Sequence, residues 1–226
     1  MSTLDGASLL RLLQLASPAL PIGAYNFSQG LELAVERGWV HDEASLARWC
    51  RGVLNAAFRT LDLPLLLRMR AAIDDDDEAR ARRASALLLA ARETQELRAE
   101  ERHLGRALAK ALGEIGVEGA RAWLDFPEAT YAALFALAAA DASIPPATMA
   151  QGYTWTWCEN QVLAALKLMS LGQSAGLRIL RTLQNDIPGV VAQALACDDD
   201  AIGTSAPRAA MASAWHETQY SRLFRS

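Results

Sequence analysis

The chain has 226 residues, a net charge of −4 and an apolar fraction of 52%. These values are typical of a folded globular protein with one large domain, or at most two small ones. The basic residues are spread along the sequence, which argues against nucleic-acid binding, since a duplex requires a dense basic surface. No apolar run approaches the ~20 residues of a membrane span, and the N-terminus does not resemble a signal peptide. We therefore expect a cytoplasmic protein that binds neither nucleic acid nor a membrane.

Apolar residues recur at helical spacing along most of the sequence, and capping residues and prolines divide them into separate helices. The predicted helix starts are Thr3 or Asp5, Ser28, Asp42, Pro64, the acidic run 74–77, Pro127, Pro145, Gln173 and Pro188. The acidic run opens one long helical region that extends to about Glu114. No segment alternates with the two-residue period of a strand. The sequence therefore predicts an all-α protein with a single domain, a bundle of roughly ten helices.

The last residues of the chain are unusual for a terminus. Chain ends are commonly polar and frayed, whereas this one carries Tyr220, Leu223, Phe224 and two arginines, residue types that are enriched at interfaces. If the segment is helical, Tyr220 and Phe224 share one face. Composition alone supports two interpretations of these residues equally: a final helix that docks on its own domain, and a segment that recognises a partner. We divide the chain into a helical domain, residues 1–207, and a partner-docking tail, residues 208–226.

Motifs for catalysis or metal binding are absent from the sequence. It contains no phosphate-binding loop of the P-loop type, no nucleophile elbow and no paired zinc ligands. The three cysteines are widely separated, and His41, His103 and His216 are isolated from one another. We therefore expect neither a bound metal nor a cofactor.

Two carboxylates lie close to apolar helix stripes. Glu159 lies near the apolar residues of its predicted helix. The sequence spacing of Glu93, Leu97 and Leu104 places these three side chains on the same helix face. A buried polar contact is the favoured interpretation for Glu159, because an unpaired buried carboxylate is costly. A solvated, ion-paired helix is favoured for Glu93, with Arg92 and Glu96 as an i,i+4 pair. The alternative is a hydrolase that uses Glu93 or Glu159 together with a histidine.

Four stretches taken together resemble the UreF family of urease accessory proteins. They are residues 12–25 with 27–32, residues 92–94, residues 157–162 with 171–176, and residues 216–226, in the family's order along nearly the whole chain. The resemblance implies an all-helical, non-enzymatic protein that forms a homodimer. It also implies binding of the accessory protein UreD/UreH and recruitment of the GTPase UreG, so that nickel reaches apo-urease. A direct GTPase-activating protein acting on UreG is the alternative.

The resemblance also implies which residues meet which partner. The tail residues that match the UreD/UreH contact are Tyr220, Arg222, Leu223 and Phe224. The residues expected to meet UreG or to shape the dimer region are Tyr25, Ser28, Glu32, Glu93, Glu159, Gln161 and Lys167.

Overall fold

The computed structural model describes residues 4–203 and 206–226, and these residues form ten α-helices and no strand. The helices are α1 (Gly6–Leu15), α2 (Leu31–Glu36), α3 (Glu43–Val53), α4 (Leu63–Asp74), α5 (Glu78–Ala90), α6 (Gln95–Glu114), α7 (Tyr131–Asp141), α8 (Pro146–Leu168), α9 (Gln173–Leu195) and α10 (Pro207–His216). The prediction of an all-α bundle of about ten helices is confirmed. Thr3, the alternative first cap, lies outside the described residues.

Aspartates begin three of the helices, as the sequence predicts. The Asp5 carboxylate accepts a hydrogen bond from the first turn of α1, and Asp77 does the same for α5. Asp42 and Ser45 form a reciprocal capping box at the start of α3. A capping side chain satisfies backbone amides that have no partner inside the helix. These local interactions explain why the starts can be predicted from sequence.

The predicted long helix from the acidic run to Glu114 is wrong. The chain breaks at residues 91–94 and forms two helices, α5 and α6. Thr94 has an extended backbone, and its hydroxyl accepts from the Leu97 amide to cap α6. This break takes Arg92 out of the helix, so the predicted Arg92–Glu96 pair along one helix face does not form.

The predicted separation of the third and fourth helices is also wrong. A π-helical segment, Leu54–Asp62, connects α3 to α4 without a break. The Leu63 amide bonds to the Phe58 carbonyl, five residues earlier. This wider turn accommodates Pro64, which has no amide to donate, near the start of α4. π-Helical turns of this kind are rare and often occur at functional sites.

Other helix boundaries also differ from the prediction. α2 begins at Leu31, with Gly30 as its N-cap, rather than at Ser28. α7 begins at Tyr131 rather than Pro127, because the Thr130 side chain provides its cap. α9 continues through Pro188 instead of ending before it. Its buried residues, from Ile179 to Val191, continue on both sides of the proline. Tertiary packing therefore outweighs the hydrogen bond that the proline removes.

The core lies around α7, which is buried on nearly every side along residues 131–136. α4, α6 and α8 pack around it, and α2 and α10 pack together on the side where the tail returns. Small residues allow close approach: a Cβ added at Gly105 in α6 would lie 2.5 Å from the Ala129 carbonyl oxygen. Among the described helices, none has the length and apolarity needed to cross a membrane.

Candidate partner-binding surface

Within the predicted tail, residues 208–216 lie in α10, and the terminal segment, residues 217–226, is not helical. It folds back onto α2 and α6, with Phe224 and Ser226 buried. Tyr220 is fully exposed and Leu223 is 63% exposed. The condition for Tyr220 and Phe224 to share a helical face is therefore not met, and the two side chains lie in opposite environments. Part of the terminal segment is docked on its own domain, and part of it is exposed.

Glu32 of α2 holds the backbone of the tail. Its carboxylate accepts hydrogen bonds from the Leu223 amide at 2.7 Å and from the Phe224 amide at 2.9 Å. The side chain of His216 lies 3.2 Å from the same carboxylate. Glu32 is buried, so hydrogen bonds to the ionised carboxylate are required to offset the cost of its burial. This residue therefore fixes the tail rather than presenting a charge to solvent.

Glu96 of α6 contacts the tail from the other side. One carboxylate oxygen lies 2.7 Å from His216 Nδ1, and the other accepts from Arg222 Nη1 at 2.6 Å. The imidazole of His216 is fully buried between Glu32 and Glu96. The two glutamates therefore connect α2, α6 and the tail through one histidine.

Glu100 of α6 secures the last residue. It accepts hydrogen bonds from the Ser226 hydroxyl at 2.7 Å and from Gln29 Nε2 at 2.7 Å. Burial raises the pKa of the Glu100 carboxyl to about 7, against the opposing effect of these two hydrogen bonds. Glu100 is a residue that the sequence reasoning did not single out.

Backbone contacts complete the attachment of the tail. The amide and hydroxyl of Ser28 both donate to the Ser226 carbonyl oxygen, at 2.9 and 2.6 Å. The Arg225 amide donates to the Asn26 carbonyl. Ser28 and Glu32, predicted as part of a separate surface, thus belong to the same site as the tail.

Three predicted residues meet beside the buried end of the tail. The Lys167 ammonium lies 5.6 Å from the centre of the Tyr25 ring and 5.6 Å from that of Phe224. Tyr25 and Lys167 are exposed, whereas Phe224 is buried beneath them. Cations at this distance are attracted by the faces of aromatic rings. Tyr25, Lys167, Tyr220 and Leu223 are exposed residues of the site.

Gln161 and Glu159 of α8 have different surroundings. Gln161 is fully buried and donates from Nε2 to the Ser28 carbonyl, so it supports the segment that receives the tail. Glu159 is half-buried beside Tyr25, and desolvation raises the pKa of its carboxyl. The buried polar contact predicted for Glu159 is not found among the described residues, where it has no hydrogen bond or ion pair.

Glu93 is exposed and precedes α6. It is not part of the helix as predicted, but it lines the same cavity as Leu97 and Leu104 of the apolar stripe. Within the described part of the chain, neither Glu93 nor Glu159 pairs with a histidine, so the arrangement required for the hydrolase alternative is not formed.

A buried ion cluster lies beneath the surface and was missed by the sequence reasoning. Arg92 Nη2 lies 2.5 Å from Asp62 at the end of the π-helical segment and 2.6 Å from Glu101 of α6. Glu101 also accepts from the Tyr131 amide that starts α7. Its position, three residues before Leu104, places it on the apolar stripe of α6, and this spacing was the available signal.

A cavity of about 110 Å³ adjoins this cluster. Gln29, Asp62, Arg92, Tyr131 and Gln161 contribute to its lining. Asp62 Oδ2, the Tyr131 hydroxyl and Gln161 Oε1 are buried and have no hydrogen-bond partner among the described residues. A polar cavity of this size is suited to ordered water. The described residues include no group of three or more His, Cys, Asp or Glu side chains positioned to hold a metal ion.

Comparison with known proteins identifies the relatives of this chain. The sequence profile of the UreF family matches residues 40–184. The chain belongs to the UreF family. The urease accessory protein UreF of Alkalilimnicola ehrlichii is 47% identical over 99% of this chain and 98% of its own length. The UreF proteins of Pseudomonas putida and Hahella chejuensis are 47% and 44% identical, each over 97% of this chain and 98% of their own lengths.

UreF proteins are named as accessory proteins and not for a catalytic activity. The prediction that this chain is not an enzyme is confirmed by its membership of that family. The hydrolase alternative is set aside on the same ground.

Proposed function

We propose that this UreF family member is a non-enzymatic adaptor in urease maturation. In this proposal it forms a homodimer, binds UreD/UreH through its C-terminal tail and recruits the GTPase UreG, so that nickel is delivered to apo-urease. The observation that carries the proposal is the tail itself, because three glutamates hold its backbone and buried side chains while Tyr220 and Leu223 stay exposed. A preordered segment binds with a smaller entropic cost than a flexible one.

The four predicted UreD/UreH residues divide into two roles in this proposal. Tyr220 and Leu223 provide the contact surface, since their side chains are exposed. Phe224 and Arg222 anchor the tail, through burial of the ring and the contact of the guanidinium with Glu96.

The experiment is a binding measurement with purified UreD/UreH. The double substitution Tyr220→Ala and Leu223→Ala removes exposed side chains only, and we expect it to weaken binding at least about tenfold, the effect of losing an interface hot spot. The control is Leu177→Ala, which truncates an equally exposed leucine on α9. Unchanged affinity of the double variant, with an unchanged melting temperature, contradicts the proposal.

The surface proposed for UreG adjoins the tail. Tyr25 and Lys167 are exposed there and Glu159 lies half-buried next to Tyr25. Ser28, Glu32 and Gln161 contribute by holding the tail and the segment beneath it. Replacing Lys167 by glutamate is expected to reduce UreG recruitment to the complex while UreD/UreH still binds.

Exposed leucines on α1 support the proposed dimer. Leu9, Leu10 and Leu13 are 46%, 68% and 58% exposed within one helix of ten residues. A contiguous exposed apolar surface commonly marks an interface. We expect Leu10→Glu with Leu13→Glu to give a monomer by light scattering, with helical content retained. A dimer of unchanged mass rules out this face.

One observation favours the alternative of a GTPase-activating role. The Arg225 side chain is exposed and forms no ion pair with any described residue, whereas Arg222 is engaged by Glu96. An arginine supplied in trans stabilises charge in phosphoryl transfer. Under this alternative the chain accelerates GTP hydrolysis by UreG and Arg225→Ala abolishes the acceleration. An unaffected or slower hydrolysis rate excludes it.

A further inference from the structure

Two tryptophans and two arginines stack where the end of α2 meets α10. The rings of Trp39 and Trp215 are 5.7 Å apart. The Arg37 guanidinium lies 5.7 Å from the centre of the Trp215 ring, and the Arg208 guanidinium lies 5.1 Å from that of Trp39. Trp215 is 43% exposed and both arginines are exposed. Exposed tryptophan and arginine are the residue types most enriched among interface hot spots.

A groove continues from this stack between α3 and α10. It measures about 360 Å³ and has an apolar lining that includes Trp49 and Val53. Small residues, among them Gly52 and Ala209, keep it open. Arg48 also contributes to the lining. This size lies at the lower end of the range of ligand-binding pockets and suits one large apolar side chain. We call it the Trp–Arg groove.

Arginines border the groove. Within the described part of the chain, Arg37, Arg48 and Arg208 form no ion pair. Nearby, Glu43 is neutralised by Arg178. Asp42 and Glu36 bond to the uncharged residues Ser45 and Gln219, and the Asp42 carboxylate also attracts Arg48, so these two carboxylates offset part of the positive charge. The N-terminus of α10 adds a partial positive charge to the groove. Its N-cap residue, Ala206, has no polar side chain that could cap the helix.

We propose that the Trp–Arg groove binds an acidic peptide segment of a partner protein. An apolar side chain of the segment enters the groove, and flanking carboxylates pair with Arg48 and Arg208. Guanidinium groups on aromatic faces are well suited to carboxylates, since they keep their planar fork of donors. The net charge of −4 and the limited basic surface at the groove, formed by Arg37, Arg48 and Arg208, favour a peptide over nucleic acid. The groove is lined by residues at the start of α10, whereas the proposed UreD/UreH contact is formed by residues 220–224, so this inference does not rest on that contact.

The experiment uses the full chain and a defined probe. The probe is a fluorescein-labelled peptide with a leucine–phenylalanine pair flanked on each side by three glutamates, and fluorescence anisotropy reports its binding. A second peptide replaces the glutamates by lysines. The test variant combines Arg48→Glu and Arg208→Glu. The matched control combines Arg83→Glu and Arg106→Glu, which reverses two exposed arginines on α5 and α6 that also form no ion pair among the described residues.

We expect the chain to bind the acidic peptide more tightly than the lysine peptide, and less tightly as salt increases. The groove variant is expected to lose at least about tenfold in affinity, while the control variant and UreD/UreH binding are unaffected. Equal affinity for the two peptides overturns the proposal, as does an equal loss in the control variant. Tighter binding of a twelve-residue oligothymidylate than of the acidic peptide also overturns it.

Discussion

At Glu32 a single carboxylate serves three groups of the returning chain: the amides of Leu223 and Phe224 and the ring of His216. All three are buried or partly buried. Removal of the carboxylate would leave the two amides without this acceptor and His216 with Glu96 alone. Glu96 and Glu100 act in the same way on Arg222 and Ser226. The docked conformation of the tail therefore depends on a small number of acidic residues on α2 and α6.

The first prediction concerns Glu32→Gln, which keeps the shape of the side chain but removes one acceptor oxygen and the charge. We expect a loss of about 1–3 kcal/mol in the free energy of unfolding, the cost of leaving buried donors unsatisfied. Urea denaturation measures this loss. Glu36→Gln, one turn later on the same helix and exposed, is the control and is expected to change stability little. Equal effects of the two substitutions would show that Glu32 does not hold the tail.

The second prediction concerns the pH dependence at Glu100. Because burial raises the pKa of its carboxyl from 4.5 to about 7, the folded protein binds this proton more tightly than the unfolded chain. The resulting contribution to stability is fully present below pH 4.5 and is lost as pH rises to about 7. Glu100→Gln is therefore expected to raise the melting temperature relative to the unsubstituted chain more at pH 8 than at pH 5. A difference that does not vary with pH would contradict this.

At the scale of the helices, local sequence signals predicted most helix starts. They missed the helices whose course depends on contacts distant in sequence. Asp5, Asp42 and Asp77 cap the helices that they were expected to cap, since a cap involves only neighbouring residues. The continuous helix through Pro188 could not be predicted locally, because it depends on long-range packing of α9. The same holds for the π-helical segment before α4.

The third prediction tests the close packing of α6. Gly105→Ala places a methyl group against the Ala129 carbonyl, so either α6 or the segment before α7 must move. We expect a loss of more than about 1 kcal/mol in unfolding free energy, typical of overpacking. Gly52→Ala in α3 is the matched control, since a Cβ there meets nothing within 4 Å. It is expected to be neutral or to stabilise the helix by up to about 1 kcal/mol. Thermal denaturation of both variants distinguishes them, and similar losses would contradict the packing.

At the scale of the whole molecule, the fold class could be predicted from sequence, but the assembly of the site could not. Residues near position 30, near position 100 and at the C-terminus are joined by side-chain contacts across the chain. Glu96 is predicted on a solvated, ion-paired helix because its neighbours in sequence are charged, and Glu101 is not among the predicted site residues. Their partners are defined only by the tertiary fold: His216 and Arg222 for Glu96, and Arg92, which also pairs with Asp62, for Glu101.

The fourth prediction is that deleting residues 220–226 affects more than partner binding. The deletion removes the buried ring of Phe224 and the contacts of Glu32 and Glu100. Burial of a phenylalanine alone contributes about 2–3 kcal/mol, so the truncated chain is expected to melt at a lower temperature. Circular dichroism measures this change. A truncated chain as stable as the full one would show that the tail is not part of the folded domain.

The central claim is that the tail is ordered on its own domain before any partner binds. Amide hydrogen exchange of the isolated chain, followed by NMR, tests this most directly. The amides of Leu223, Phe224 and Arg225 are expected to be protected, because they donate to Glu32 and to the Asn26 carbonyl, while the amide of Tyr220 exchanges rapidly. Exchange of residues 223–225 at the rate of an unstructured peptide would contradict the account.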